Sequence, residues 1–156
     1  MEWLLDALET TSLAQYLRTS RWGYAAVNAT HILGIALLIG AILPLNLRIF
    51  GLWPRVPLST LAIVLVPVAA FGLALASIAG AMLFSIRAQE YAALGVLWVK
   101  MTLIGLGTIA ALALHSSHGM RLEEASRAKL LAHAMVSTTC WIGALLCGRL
   151  IAFAGD

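Results

Sequence analysis

The stretch VPLSTLAIVLVPVAAFGLALASIAGAMLFSI, residues 56–86, has 31 residues and no charged side chain. The hydrocarbon core of a bilayer is about 30 Å thick, and roughly 20 apolar residues in an α-helix cross it. Because the core holds no water, the backbone N–H and C=O groups must bond within the segment, as they do in a helix. The stretch therefore predicts one membrane-spanning helix.

Three further uncharged runs flank it, at 22–47, 101–120 and 130–148. The chain is 62% hydrophobic and 11% charged, with a mean hydropathy of +0.94. These values exclude an ordinary soluble domain, which is about a quarter charged. We expect one all-α domain over residues 1–156, an integral membrane four-helix antiparallel bundle with spans at about 21–47, 58–86, 93–118 and 129–154.

The first 20 residues carry Glu2, Asp6 and Glu9, so they are unlike a cleavable signal peptide. Their apolar residues recur at near-helical spacing, which predicts an amphipathic interfacial helix over 2–18. Ser20 is suited to cap the first span. Pro44 is expected to end or kink that span.

The topology gives the membrane two faces. Side A holds the N-terminus, the connection 86–94 and the C-terminus, and side B holds the connections near 48–55 and 116–129. Five basic residues flank side B, against three on side A, namely Arg48, Arg55, Arg121, Arg127 and Lys129 against Arg18, Arg21 and Arg87. The positive-inside rule then predicts periplasmic termini. Counting Lys100 and Arg149 as flanks of side A makes the two sides equal.

Several functions are excluded at this stage. The basic residues are scattered between apolar runs and form no nucleic-acid patch. Cys140 and Cys147 lie in an apolar run, which argues against a disulfide framework. No motif for hydrolysis or phosphate binding is present. The sequence favours a non-catalytic membrane subunit or an electron carrier over an enzyme, with the bilayer and a membrane protein or second copy as partners.

Ionisable groups inside a span are costly and are candidates for function. Tyr24, Asn28 and His31 have the spacing i, i+4, i+7, so they share one face of the first span. His31 lies roughly 16 Å into that span at 1.5 Å per residue. It is either a hydrogen-bonded core histidine or a ligand of a metal or haem.

Lys100 and Arg149 each lie roughly 8 Å inside side A. They either extend to the headgroups or bind an anion. A haem b ligated by His31 could turn its propionates toward both cations, since an arginine fork suits a carboxylate. Gly105, Gly107 and Gly143 lie near the depth of His31 and could leave room for a flat ring.

A second group of histidines lies near side B, comprising His115, His118 and His133. They either contact headgroups and loop charges or hold a copper or zinc ion. His31 and His115 differ in depth by roughly 13 Å, too much for two axial ligands of one haem. A haem shared by two copies of His31 at a dimer axis is the alternative.

In the second span, Gly72, Ala76 and Gly80 are spaced by four. Small residues at this spacing let helices approach closely. The stripe predicts a helix–helix contact, within the bundle or between protomers.

Five separate stretches and two single residues of the chain resemble a family of bacterial four-span inner-membrane proteins, which is distantly similar in layout to the copper-resistance protein D membrane family. The residues that carry the resemblance are THILGIALLIG at 30–40, LNLR at 45–48, LFSIRA at 83–88 with Tyr91, LALH at 112–115, Trp141, and GRLIAF at 148–153. The resemblance implies the fold and the membrane location, and it implies no established activity.

The matching family positions are His31, His115, Trp141 and Arg149. The family often has an acid at the positions of Asn28 and Asn46, and it usually lacks a histidine at positions 118 and 133.

Three functional hypotheses follow. The first is a haem b subunit that passes electrons between a periplasmic partner and quinone. The second is a copper- or metal-handling membrane protein that uses the histidines near side B. The third is a cofactor-free structural subunit of a larger membrane complex.

Overall fold

The computed structural model describes residues 2–118, 122 and 125–154, without the side chains of 117, 118 and 154. The described residues form seven α-helices and no β-strand: α1 (Glu2–Glu9), α2 (Ser12–Thr19), α3 (Arg21–Phe50), α4 (Leu58–Ile86), α5 (Ala88–Ala93), α6 (Gly95–His118) and α7 (Arg127–Ala154).

Four of these helices, α3, α4, α6 and α7, are long and apolar enough to cross a membrane. The all-α class and the four-helix membrane bundle are thereby confirmed, and the chain is a multi-pass membrane protein. α3 continues through Pro44 and ends at Phe50. Of the two outcomes expected for this proline, an end of the span at Pro44 is therefore wrong. Gly51, with φ 113°, closes the helix, and its N–H donates to the carbonyl of Arg48 at 3.1 Å.

The N-terminal segment differs from the single helix that was expected over 2–18. It breaks at Thr10 and Thr11 into α1 and α2. Thr11 has an extended backbone, and its Oγ1 accepts a hydrogen bond from the N–H of Ala14 at 3.2 Å. Hydroxyl side chains compete for backbone groups in this way and favour caps over helix interiors. Ser20 caps α3 as expected, because its Oγ accepts from the N–H of Gly23 at 3.1 Å.

The long helices pack as two hairpins. α3 packs along α4, α6 packs along α7, and contact between α3 and α7 joins the hairpins. α1 and α2 pack against α4 and α5 at side A. The N-terminal helices, the connection between α4 and α6, and the C-terminal end of α7 therefore lie at one end of the bundle.

The small-residue stripe of α4 makes its close contact inside the chain, against α3. A Cβ atom added to Gly34 would lie 2.5 Å from the backbone nitrogen of Ala76, and one added to Gly72 would lie 2.6 Å from that of Leu38. No side chain fits at either glycine without moving backbone. The two helices approach this closely because both contact positions lack a Cβ.

The main core cluster lies near side B. All four spans contribute to it, with Leu45 and Ile49 from α3, Leu58 and Ala62 from α4, Leu114 from α6 and Ala134 from α7, together with Leu122. Beside this cluster, the buried Asn46 of α3 donates hydrogen bonds to Ser137 at 3.1 Å and Thr138 at 3.0 Å on α7. Apolar packing and this polar link join the two hairpins.

Candidate functional site

His31 lies on the face of α3 that contacts α4, and it is half-buried. Its Nδ1 is 2.8 Å from the carbonyl oxygen of Ala76. Because a carbonyl oxygen only accepts, Nδ1 must carry the proton. In the neutral imidazole, Nε2 then has a free lone pair, and no described residue donates to it. This arrangement is typical of ligating histidines, whose second nitrogen is fixed by a carbonyl or carboxylate.

The ring of His31 packs on Gly80, the third member of the small-residue stripe. A Cβ at Gly80 would lie 3.0 Å from Cε1 and 3.3 Å from Nδ1 of the imidazole. The stripe was expected to bring helices together. The structure adds that its last glycine makes room for the histidine.

Lys100 of α6 is half-buried against Gly148 of α7. Its Nζ lies 3.6 Å from the place where a Cβ would stand on Gly148. No described carboxylate pairs with it. Lys100 is therefore an unpaired cation of the described bundle, and His31 offers a free imidazole lone pair.

Arg149 lies elsewhere. It is exposed, and its Cζ is 4.6 Å from the ring centroid of Phe153, one helical turn further along α7. Successive residues of an α-helix are rotated by about 100°, so Arg149 and Gly148 face different directions. The structure thus places Lys100 at Gly148 and Arg149 on another side of α7.

Tyr24 and Asn28 share the general face of His31 but not its contacts. Asn28 is half-buried, and its side chain makes no hydrogen bond to a described residue. Tyr24 is 44% exposed and opens into a cavity at side A. On this common face of α3, His31 therefore lies inside the bundle, whereas Tyr24 lies at its end.

The glycines expected to leave room for a flat ring differ among themselves. A Cβ at Gly107 would lie 3.0 Å from Cε2 of Trp141, and one at Gly143 would lie 3.0 Å from Cδ1 of Leu103. Side chains already fill these two places. Gly105 has no neighbouring atom within 4 Å, so it alone of the three leaves open space.

At the other end of the bundle, His115 donates from Nδ1 to the carbonyl of Ala111 at 2.8 Å, within α6. Its Nε2 is buried and has no hydrogen-bond partner. His133 lies on α7, the helix that packs along α6. The side chain of His118 lies outside the described residues. Within the described part of the chain, no three histidine, cysteine or acidic side chains form a metal-binding group.

A cavity of about 500 Å³ at side A was not predicted from the sequence. Its lining comes from α2 through α5 and from the end of α7, and includes Arg18, Arg21, Tyr24, Arg87, Glu90 and Tyr91. The ring of Tyr91 stacks on Phe84 with centroids 6.4 Å apart. Burial, together with the nearby Tyr24 phenol, raises the pKa of Tyr91. The only signal in the sequence was the basic residues counted as flanks of this side.

Comparison with known proteins gives no match to a family model, a curated protein or a solved structure. The resemblance to the bacterial four-span inner-membrane family therefore remains a prediction.

Proposed function

We propose that the protein is a small integral membrane subunit of a bacterial inner membrane that binds haem b at His31 and passes electrons between a periplasmic partner and quinone. In this proposal both termini are periplasmic, in line with the five-to-three distribution of flanking basic residues. The haem would supply one-electron redox chemistry at its iron.

The observation that carries the proposal is the hydrogen bond from Nδ1 of His31 to Ala76. It fixes the tautomer whose Nε2 can bind a metal, and it restricts rotation of the ring. Here Nε2 has no donor among the described residues.

Lys100 supports the same interpretation. A half-buried, unpaired ammonium is unfavourable in a membrane, and a propionate carboxylate is a suitable counter-ion for it. Because Arg149 points elsewhere, we assign the propionate contact to Lys100 alone. The filled space beside Gly107 and Gly143 argues against a ring in that part of the bundle. The open space at Gly105 does not argue against a ring there.

The His31 of a second copy would help to hold the same haem, because His115 lies at a different depth. A six-coordinate, low-spin spectrum with sharp reduced α and β bands is then expected, together with a dimeric mass. A five-coordinate, high-spin spectrum would contradict the shared haem while leaving ligation by His31 in place.

The test is an optical spectrum of the full chain purified from haem-replete cells. We expect a Soret band that His31→Ala abolishes and that the matched control His133→Ala preserves. Lys100→Gln is expected to retain the band with lower occupancy. A colourless, fully folded protein would overturn the proposal and favour the cofactor-free structural subunit.

A second candidate function, metal binding near side B, is favoured by one observation. Nε2 of His115 is buried without a partner, and His133 lies on α7, which packs along α6. Two imidazoles could bind one Cu(I) or Zn²⁺ ion between α6 and α7. Equilibrium dialysis against each ion tests this, since binding must be lost in both His115→Ala and His133→Ala but kept in His31→Ala.

A further inference from the structure

The side A cavity lies where the interfacial helix α2 meets the ends of the membrane-spanning helices. One part of its lining is apolar, with Leu17, Leu83, Ile86, Ile151 and Ala152. The other part is polar and basic. The cavity has a volume of about 500 Å³. It lies at the level of the first residues of α3, which corresponds to the headgroup region of a bilayer.

The charges around this cavity do not balance. Glu9 pairs with Arg18 at 3.4 Å, and Glu90 pairs with Arg87 at 3.3 Å. Glu9 also accepts a hydrogen bond from the N–H of Gln89 at 2.8 Å, and Arg18 donates to the carbonyl of Ile86. Arg21 lines the same cavity, and no described group pairs with it.

Among the charged residues that line the cavity and their ion-pair partners, three arginines and two glutamates leave one positive charge in excess, and Arg21 is the residue that supplies it. A phosphodiester carries one negative charge, and the guanidinium fork matches the geometry of its oxygens.

Neutral donors complete the polar wall. Tyr24 and Tyr91 line the cavity and lie near each other. Ser20 accepts from Gly23 through its oxygen, which leaves its hydroxyl proton available. A cationic group flanked by hydroxyl donors is suited to an anion that offers several acceptor oxygens. It is less suited to a neutral quinone ring, which offers two acceptor oxygens.

We propose that this cavity binds the phosphate of one anionic phospholipid, with Arg21 as the principal contact and Tyr24 and Tyr91 as further donors. The apolar part of the lining then receives the start of the acyl chains. The bound lipid would fasten α2 to the ends of α3, α4 and α7. This inference is independent of any haem.

The test is native mass spectrometry of the full chain in detergent, with phosphatidylglycerol or phosphatidylcholine added at equal concentration. Both lipids carry a phosphodiester, but the choline of phosphatidylcholine would add a second cation beside Arg21. We therefore expect one phosphatidylglycerol to be retained more strongly than phosphatidylcholine. One arginine near an anionic lipid contributes about a fivefold change in affinity, so Arg21→Gln is expected to weaken retention by about fivefold. The matched control is Arg55→Gln, an exposed arginine on side B, which should leave retention unchanged.

Thermal unfolding in phosphatidylcholine checks that Arg21→Gln folds normally. Equal retention of the two lipids, or equal loss in Arg21→Gln and Arg55→Gln, would overturn the proposal. Inorganic phosphate is the second arm of the test. If it stabilises the protein as well as phosphatidylglycerol does, and in an Arg21-dependent way, the lipid is excluded in favour of a soluble phosphate.

Discussion

The imidazole of His31 on α3 donates a hydrogen bond to the backbone carbonyl of Ala76 on α4, with the two atoms 2.8 Å apart. This single contact has two effects. It joins the two helices where their backbones are closest, and it fixes which ring nitrogen is protonated. The packing of the first hairpin and the chemistry available at His31 therefore depend on the same small-residue stripe.

The first prediction concerns that close approach. Gly34→Ala should destabilise the protein by about 1–3 kcal/mol, because its Cβ would meet the backbone of Ala76 and must separate the helices. Gly40→Ala is the matched control in the same helix, where no atom lies within 4 Å. It should be neutral or slightly stabilising, since alanine favours helix. The thermal midpoint in detergent measures both, and equal midpoints for the two variants would contradict the close contact.

Features that depend on local sequence were predictable. Uncharged runs located the four spans, because a helix in lipid must satisfy its own backbone. The spacing of Gly72, Ala76 and Gly80 predicted a close contact, and Ser20 predicted a cap. The break at Thr10 and Thr11 was missed, although adjacent hydroxyl residues are typical of a cap.

Features that depend on helix rotation and tertiary packing were not predictable. The depths of Lys100 and Arg149 along their spans suggested a pair. Depth alone does not specify direction, and Arg149 turns toward Phe153. The side A cavity requires five helices to meet, so no single stretch of sequence encodes it. Trp141 fills the space beside Gly107, and Leu103 fills the space beside Gly143. Both contacts depend on tertiary packing, so they were not predictable either.

The second prediction concerns the joint between the hairpins. Asn46→Leu removes both hydrogen bonds to Ser137 and Thr138 and leaves the buried hydroxyl of Ser137 and the half-buried hydroxyl of Thr138 without their donor. A loss of about 1–3 kcal/mol is expected. Asn28→Leu is the control, because Asn28 lies in the same helix and makes no side-chain hydrogen bond to a described residue. If both variants unfold at the same temperature, Asn46 does not hold the hairpins together.

The third prediction concerns topology. Single cysteines in place of Arg55 and Arg127 should react with a membrane-impermeant reagent from one side of the membrane, and a cysteine in place of Arg87 from the other. The background for all three is the Cys140→Ala, Cys147→Ala chain. Two antiparallel hairpins require this pattern. Labelling of Arg55→Cys and Arg127→Cys from opposite sides would exclude the four-span arrangement.

The fourth prediction concerns pH. Tyr91 is partly buried beside Tyr24, which raises the pKa of its phenol above the ordinary value of 10.0. The folded state therefore holds this proton more tightly than the unfolded chain does. Its contribution to stability is complete below pH 10, and it is lost as the pH rises through the folded-state pKa.

Alkaline difference absorbance of the phenolate band should then contain a late component. Tyr91→Phe should remove that component and flatten the decline in thermal midpoint above pH 10. The matched control is Tyr16→Phe, because Tyr16 is 58% exposed and does not line the cavity. The late component should persist in this control. Its persistence in Tyr91→Phe, or its loss in Tyr16→Phe, would show that another tyrosine is responsible and that the cavity does not shield Tyr91.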